Sequence, residues 1–233
     1  MIKPLQVCGT AIAVVALGVA LTSCGSKSAP APSSTSSSAT KTSESSSSSK
    51  PSPTPAAGKN KTIADYVQEA GLTETPVKRG DPGAPNIDLP VPEGWATAGD
   101  KTPAFAYGQI VFSDPSMAGD PPSITAIVAK LAGNVDKAKL VEYAPGELNN
   151  LPGFDGPATG QPSTLGGFDA VQLGGSYEKD GVKRMVAQKT VFIPAADGSG
   201  MYVLQLNADG TEGQMGPLMD ATGVIDEKTT ITP

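Results

Sequence analysis

The chain contains no histidine. That excludes Ser-His-Asp and Cys-His catalysis and, with them, most zinc sites. Its two cysteines, Cys8 and Cys24, both lie at the N-terminal end, so everything beyond position 24 lacks a disulfide and a thiol nucleophile. An exported compartment permits disulfides, so the body of this protein is expected to hold together on its core alone. No G-x-S-x-G elbow, G-x-x-x-x-G-K-[ST] phosphate loop or G-x-G-x-x-G turn is present. Asp197-Gly198-Ser199-Gly200 and Asp209-Gly210 lack the spaced acids of a calcium loop and read as hairpin turns. Carboxylates are numerous, yet nothing marks a facing pair in a cleft of the kind a glycosidase needs. No catalytic residue, metal ligand or cofactor is assigned, and the chain reads as a non-enzyme. Aromatic residues make up 5% of it, with Trp95 the one indole.

No apolar run is long enough to cross a bilayer, which takes roughly 20 residues. Val7–Leu21, "VCGTAIAVVALGVAL", comes nearest. It follows a short start carrying Lys3 and ends in small residues, the order of a secretory signal. Leu21-Thr22-Ser23-Cys24 matches the bacterial lipobox. Residues 1–23 are therefore expected to be removed, leaving Cys24 as an acylated N-terminus; two or three acyl chains anchor stably where one does so only marginally.

From Cys24 to Lys61 the chain is almost all Ser, Thr, Ala, Pro and Lys, without an aromatic residue or a Leu, Ile or Val. Such a segment cannot bury enough surface to offset chain entropy and is expected to be a disordered spacer, reaching about 33 Å as a flexible coil. Its Ser/Thr/Pro content also suits O-glycosylation. It carries five lysines against Glu44, whereas residues 62–233 carry 11 Lys/Arg against 22 Asp/Glu. An acidic body argues against nucleic acid as a partner.

Residues 62–233 are long enough for one domain. Thr62-Ile63-Ala64-Asp65 has the form of a capping box opening a helix that ends at Gly71. A second helix spans Asp136–Asn150, with Leu140, Val141, Ala144 and Leu148 on one stripe and a break at Pro145. A third begins at Thr211-Glu212-Gly213-Gln214 and carries Met215, Leu218, Met219 and Thr222. Period-two or continuous apolar runs predict strands at Ile87–Val91, Phe105–Ser113, Ile124–Leu131, Phe168–Tyr177, Val182–Ile193 and Met201–Asn207. "KDG" at Lys179–Gly181 marks a hairpin turn. The expected class is α+β: an antiparallel sheet of about six strands flanked by helices.

The lipobox, the Ser/Pro spacer, the stretch "TIADYVQEAGLTETPVKRGDPGAPNIDLPVPEGW" and "AFAYGQIVFSDP" resemble the mycobacterial lipoprotein family LpqN/LpqT. The resemblance implies a PsbP-like α/β/α sandwich, an apolar cavity for acylated envelope lipids such as trehalose mycolates, and work with an RND-family lipid exporter. It brings no catalytic residues. The candidate cavity residues come from the sequence: Met185, Met215 and Met219, since methionine adapts its shape in promiscuous sites, with Trp95, Phe192, Tyr202, Leu204 and Leu218. They place an acyl chain between a sheet face bearing Met185, Phe192, Tyr202 and Leu204 and the last helix. "LGG" occurs at Leu165–Gly167 and Leu173–Gly175, where glycine in a strand leaves room for a ligand or makes a bulge. The expected function is a lipid-binding lipoprotein held by Cys24 on the extracytoplasmic face of the membrane. The alternative is an acidic interaction module on a tether, docking an exported or host protein with its core filled.

Overall fold

The structure is a computed structural model and describes residues 59–233. The signal segment, Cys24 and nearly all of the spacer lie outside the described residues. The helices are α1 (Ile63–Glu69), α2 (Lys137–Tyr143), α3 (Gly146–Asn149) and α4 (Met215–Lys228). The strands are β1 (Thr73–Pro76), β2 (Asn86–Asp88), β3 (Trp95–Thr97), β4 (Gly108–Phe112), β5 (Ser123–Ala132), β6 (Gln161–Leu165), β7 (Phe168–Lys179), β8 (Val182–Pro194), β9 (Gly200–Thr211) and β10 (Thr230–Thr232).

The class is α+β as expected. Eight strands form one antiparallel sheet in the order β3-β4-β5-β9-β8-β7-β6, with β1 also paired to β5, while β2 and β10 pair separately. The long middle strands are the ones whose alternation was legible. At their shared turn Asp180 and Gly181 both take positive φ, 53° and 76°, and Lys179 pairs with Val182, the two-residue hairpin geometry that "KDG" suits. The strands absent from the sequence reading, β1, β3, β6 and β10, are short and mostly exposed along their length. They gain their ladder from a neighbour rather than from an apolar pattern of their own.

Thr62 caps α1 as its sequence foretells: Asp65 N–H donates to Thr62 Oγ1 at 3.2 Å and Thr62 N–H to Asp65 Oδ2 at 2.8 Å. The amide of Thr62, and then its hydroxyl, hold the Asp65 carboxyl below the usual carboxylate range. The folded body starts slightly before this cap, because Asn60 N–H donates to Asn150 Oδ1 and Asn150 Nδ2 donates back to Asn60 O, each at 2.8 Å. The second helix is divided at Pro145 into α2 and α3, since proline has no N–H to continue the ladder.

Strand register divides the sheet into two faces. On one, Leu131, Phe192, Met201 and Val203 pack under Ile63, Tyr66 and Val67 of α1 and Leu140 of α2. On the other, Ile124, Val128, Val191, Ile193, Tyr202, Leu204 and Leu206 pack with Leu218, Ala221 and Ile225 of α4 and with Ile87 and Ile231 of the small sheet. Each fully buried aliphatic or phenyl side chain contributes about 1.5–3 kcal/mol. Two such layers supply a core without any cross-link.

Candidate functional site

Where α4 crosses the sheet, one transverse row carries almost no side-chain volume. Gly174 of β7 pairs with Ala187 of β8, Ala187 with Ala208 of β9, and Ala208 with Ile124 of β5. Gly174 and Ala187 remain exposed although they lie on the helix-bearing face. A cleft of about 310 Å³ opens over this row, walled by Thr222, Ile225 and Asp226 of α4 and by Gln161, Gln172 and Lys189 of the sheet. A second opening of similar size, about 310 Å³, continues from it towards the start of α4. It shares Gly174, Ala187, Ala208 and Thr222 and adds Met185, Met215, Leu218 and Met219. A pocket of a few hundred cubic ångströms with apolar walls and a few polar groups is the usual form of a small-ligand site.

Two stripes on α4 create this arrangement. Leu218, Ala221 and Ile225 are buried and seat the helix. Met215, Met219, Thr222 and Asp226, spaced by four, three and four residues, form a second stripe that overlooks the cleft; Met219 is 65% exposed and Met215 37%. The helix is held at both ends. Thr211 N–H donates to Gln214 Oε1 at 2.8 Å, the cap legible in the sequence, and Gln214 Nε2 donates to Asp120 O at 2.7 Å. Thr229 Oγ1 donates to Ile225 O at 2.7 Å. Towards the C-terminal end, Lys189 Nζ donates to Asp226 Oδ1 at 2.6 Å and ties β8 to α4.

Of the eight candidate cavity residues, four meet at the cleft: Met185, Met215, Leu218 and Met219. Leu218 is also 7% exposed and part of the core, so it serves both. Tyr202 and Leu204 lie on the same sheet face but in its closed part; the Tyr202 hydroxyl donates to Gly83 O at 2.7 Å, and Leu204 is fully buried. Trp95 packs against Phe112 at 5.5 Å between ring centroids, at the far edge of the sheet. Phe192 corrects the expectation. It lies seven positions along β8 from Met185, an odd offset, so it points to the opposite face and packs with α1 and α2. Cys24 lies outside the described residues.

Many of the cleft residues that sequence reasoning passed over are small or polar, Ala187, Ala208, Gln161, Gln172, Lys189 and Asp226; the others include core aliphatics such as Ile124, Leu206 and Ile225 that also border the space. The one signal was glycine. Of the two "LGG" tripeptides, Gly166 and Gly167 take positive φ, 55° and 86°, in the β6–β7 turn, whereas Gly174 lies within β7 and forms the cleft floor.

The "DGSG" turn is as expected: Ser199 N–H and Oγ donate to Asp197 Oδ1 at 2.9 and 2.6 Å. Asp209-Gly210 is not a turn. It lies inside β9, where Asp209 accepts from Tyr177 Oη at 2.7 Å and from Arg184 Nε at 2.9 Å. Arg184 Nη1 also donates to Asp120 Oδ2 at 2.6 Å. Burial, and then the Asp209 carboxylate, push the Tyr177 phenol up to about 12, and the two carboxylates raise Arg184 above its ordinary value. Among the described residues no group of three His, Cys, Asp or Glu is placed to hold a metal ion, and no helix is long and apolar enough to cross a membrane.

Residues 59–232 match the family model described as probable lipoprotein LpqN. The chain belongs to the LpqN lipoprotein family. It is 55% identical over 178 residues to lipoprotein LpqN of Mycobacterium tuberculosis, a match covering 76% of this chain and 77% of that one. A crystal structure of LpqN, described as involved in cell envelope biogenesis of M. tuberculosis, matches at 54% identity with a TM-score of 0.71. It covers 76% of this chain and all of that one. Membership places the chain among envelope lipoproteins, and the match indicates no enzymatic family.

Proposed function

We propose that this protein is a membrane-anchored carrier of acylated envelope lipids, of the trehalose-mycolate type, which takes the acyl chain into the cleft beneath α4 and assists transport with an RND-family exporter. The observation that carries the reading is the half-open apolar cleft over Gly174, Ala187 and Ala208. A row of small residues under a capped helix costs packing and leaves exposed a surface that larger side chains would fill. The lipobox at Cys24 supports anchoring on the extracytoplasmic face, and the relative described as involved in cell envelope biogenesis supports the pathway. No catalytic step is required of the protein.

An acyl chain leaving a membrane gains little from burial alone. Each methylene, worth about 0.8 kcal/mol out of water, was already buried. A carrier must match that burial and add polar contacts to the headgroup. The test is uptake of a fluorescent acyl probe by the mature chain and its displacement by a trehalose monoester. Absence of uptake removes the carrier reading and leaves the interaction module. Separately, Cys24→Ala is expected to release the protein from membranes into the soluble fraction; retention there would refute the anchor.

A further inference from the structure

The loops beside the β3 edge of the sheet hold apolar side chains out of the fold. Phe105 is 61% exposed and Val91 47%. Phe105 stands at the tip of a tight turn, closed by Ala106 N–H donating to Pro103 O at 2.9 Å. The turn is braced from outside itself. Lys78 Nζ donates to Ala104 O and, at 3.0 Å, to Ala106 O, so one ammonium answers the carbonyls on both sides of Phe105. The Arg79 guanidinium lies 5.1 Å from the Tyr107 ring centroid. It also borders a small opening of about 80 Å³ with Leu89, Pro90 and Val91. Arg79 thus joins the two loops into one surface.

We propose that this surface enters the headgroup–acyl boundary of the bilayer, with Phe105 as the inserted side chain, as a second membrane contact of the folded body itself. Backbone that enters lipid must have its N–H and C=O groups answered from within the protein. Here the carbonyls of Pro103, Ala104 and Ala106 already have donors, and Pro103 has no N–H to lose. The attraction is apolar rather than electrostatic. Lys78, Arg79 and Lys101 stand against Asp81, Asp88, Glu93 and Asp100 along the same segments, so an anionic surface gains nothing from their charge. One phenyl group binds a bilayer more weakly than an acyl chain, which alone holds only marginally. The tether makes up the difference. From Cys24 to Gly58 there are 35 residues. A spacer of that length reaches about 33 Å as a coil and gives an effective concentration on the order of millimolar at the bilayer. The contact depends on the Cys24 anchor and not on a lipid carried in the cleft.

From Cys24 onward the chain has one thiol, Cys24 itself. Coupling it to a maleimide lipid in phosphatidylcholine vesicles supplies the anchor chemically. Phe105→Trp then adds an indole at the turn, and Val182→Trp adds one at the exposed end of the β7–β8 hairpin, with the buried Trp95 common to both. Bromine atoms on the lipid acyl chains quench an indole only near contact. The emission gained with Phe105→Trp should be mostly lost, and that gained with Val182→Trp should be kept. The quenching should persist at about 1 M salt, where screening acts within about 3 Å. Adding Lys78→Met to Phe105→Trp leaves two carbonyls unanswered and should lower the docked fraction about tenfold, whereas Lys78→Arg keeps the donors and should not. No quenching with Phe105→Trp overturns the proposal and leaves Phe105 as a contact for a protein partner. Equal quenching at both sites, loss of quenching in salt, or indifference to Lys78→Met also overturns it. None of these results bears on the native Cys24 anchor, which the coupling replaces, or on uptake by the cleft.

Discussion

The two faces of the sheet solve the same burial problem differently. The face under α1 and α2 is closed: Phe192 is 1% exposed and Leu140 fully buried, and, apart from the unpartnered Thr190 hydroxyl, the buried polar groups there pair with one another. Gln188 Nε2 donates to Glu147 Oε2 at 3.0 Å and to Asn207 Oδ1 at 2.9 Å, and Gln205 Nε2 reaches the same Glu147 oxygen at 3.1 Å. The face under α4 is half open. Its amides at Gln161 and Gln172 are exposed, and its central row carries a glycine and two alanines. Polar residues occur in both places. On one face they bond inward and complete a layer, whereas on the other they border a space.

That contrast is open to mutation. Phe192→Ala leaves a cavity in the closed layer and should cost about 3–5 kcal/mol of stability, while acyl-probe uptake below the lowered melting midpoint stays as it was. Lost uptake with little loss of stability would place Phe192 in the site after all. Arg184→Met strips Asp209 and Asp120 of their shared cation at the end of that same face. Both carboxylates are partly exposed, so a loss of about 1–3 kcal/mol is expected, measured by denaturant titration, again without effect on uptake.

Ala187→Leu tests the open face. Its side chain enters free space, so stability should change by no more than about 0.5 kcal/mol. Uptake should nevertheless fall at least about tenfold; unchanged uptake would move the ligand elsewhere. The smallest effect is in pH. Tyr177 holds its proton to about 12 in the folded chain, above its ordinary value of 10.0. The unfolded chain releases that proton first. Tyr177's contribution to stability is thus complete below about pH 10 and declines as pH rises towards 12. Tyr177→Phe should flatten that part of the melting profile, and an unaltered slope would show that the phenol does not titrate with unfolding.

Much of the frame was legible because it rests on local rules. Alternation in Val182–Ile193 and Met201–Asn207 depends on the two faces of a strand. The Thr62 and Thr211 caps depend on a side chain reaching three residues ahead, and the Pro145 break on a missing N–H. The errors occurred where one residue of register matters. Phe192 is as apolar as Met185, yet seven positions along a strand reverse the side it faces. Asp209-Gly210 has the composition of a turn but continues a ladder, because β8 offers partners as far as Arg184.

The sequence by itself determined the absence of histidine and late cysteine with the chemistry this rules out, the lipobox pattern at Leu21–Cys24, and the strand–helix order of an α+β domain. These follow from residues close together in the chain or from residues that are simply not there. The tertiary structure alone decided where the open space lies and which polar groups border it. Gly174, Ala187 and Ala208 come from three strands, and Lys189 meets Asp226 across 37 positions. Whether small residues make a cleft or are covered depends on which row the helix crosses, and pairing register, not composition, sets that row.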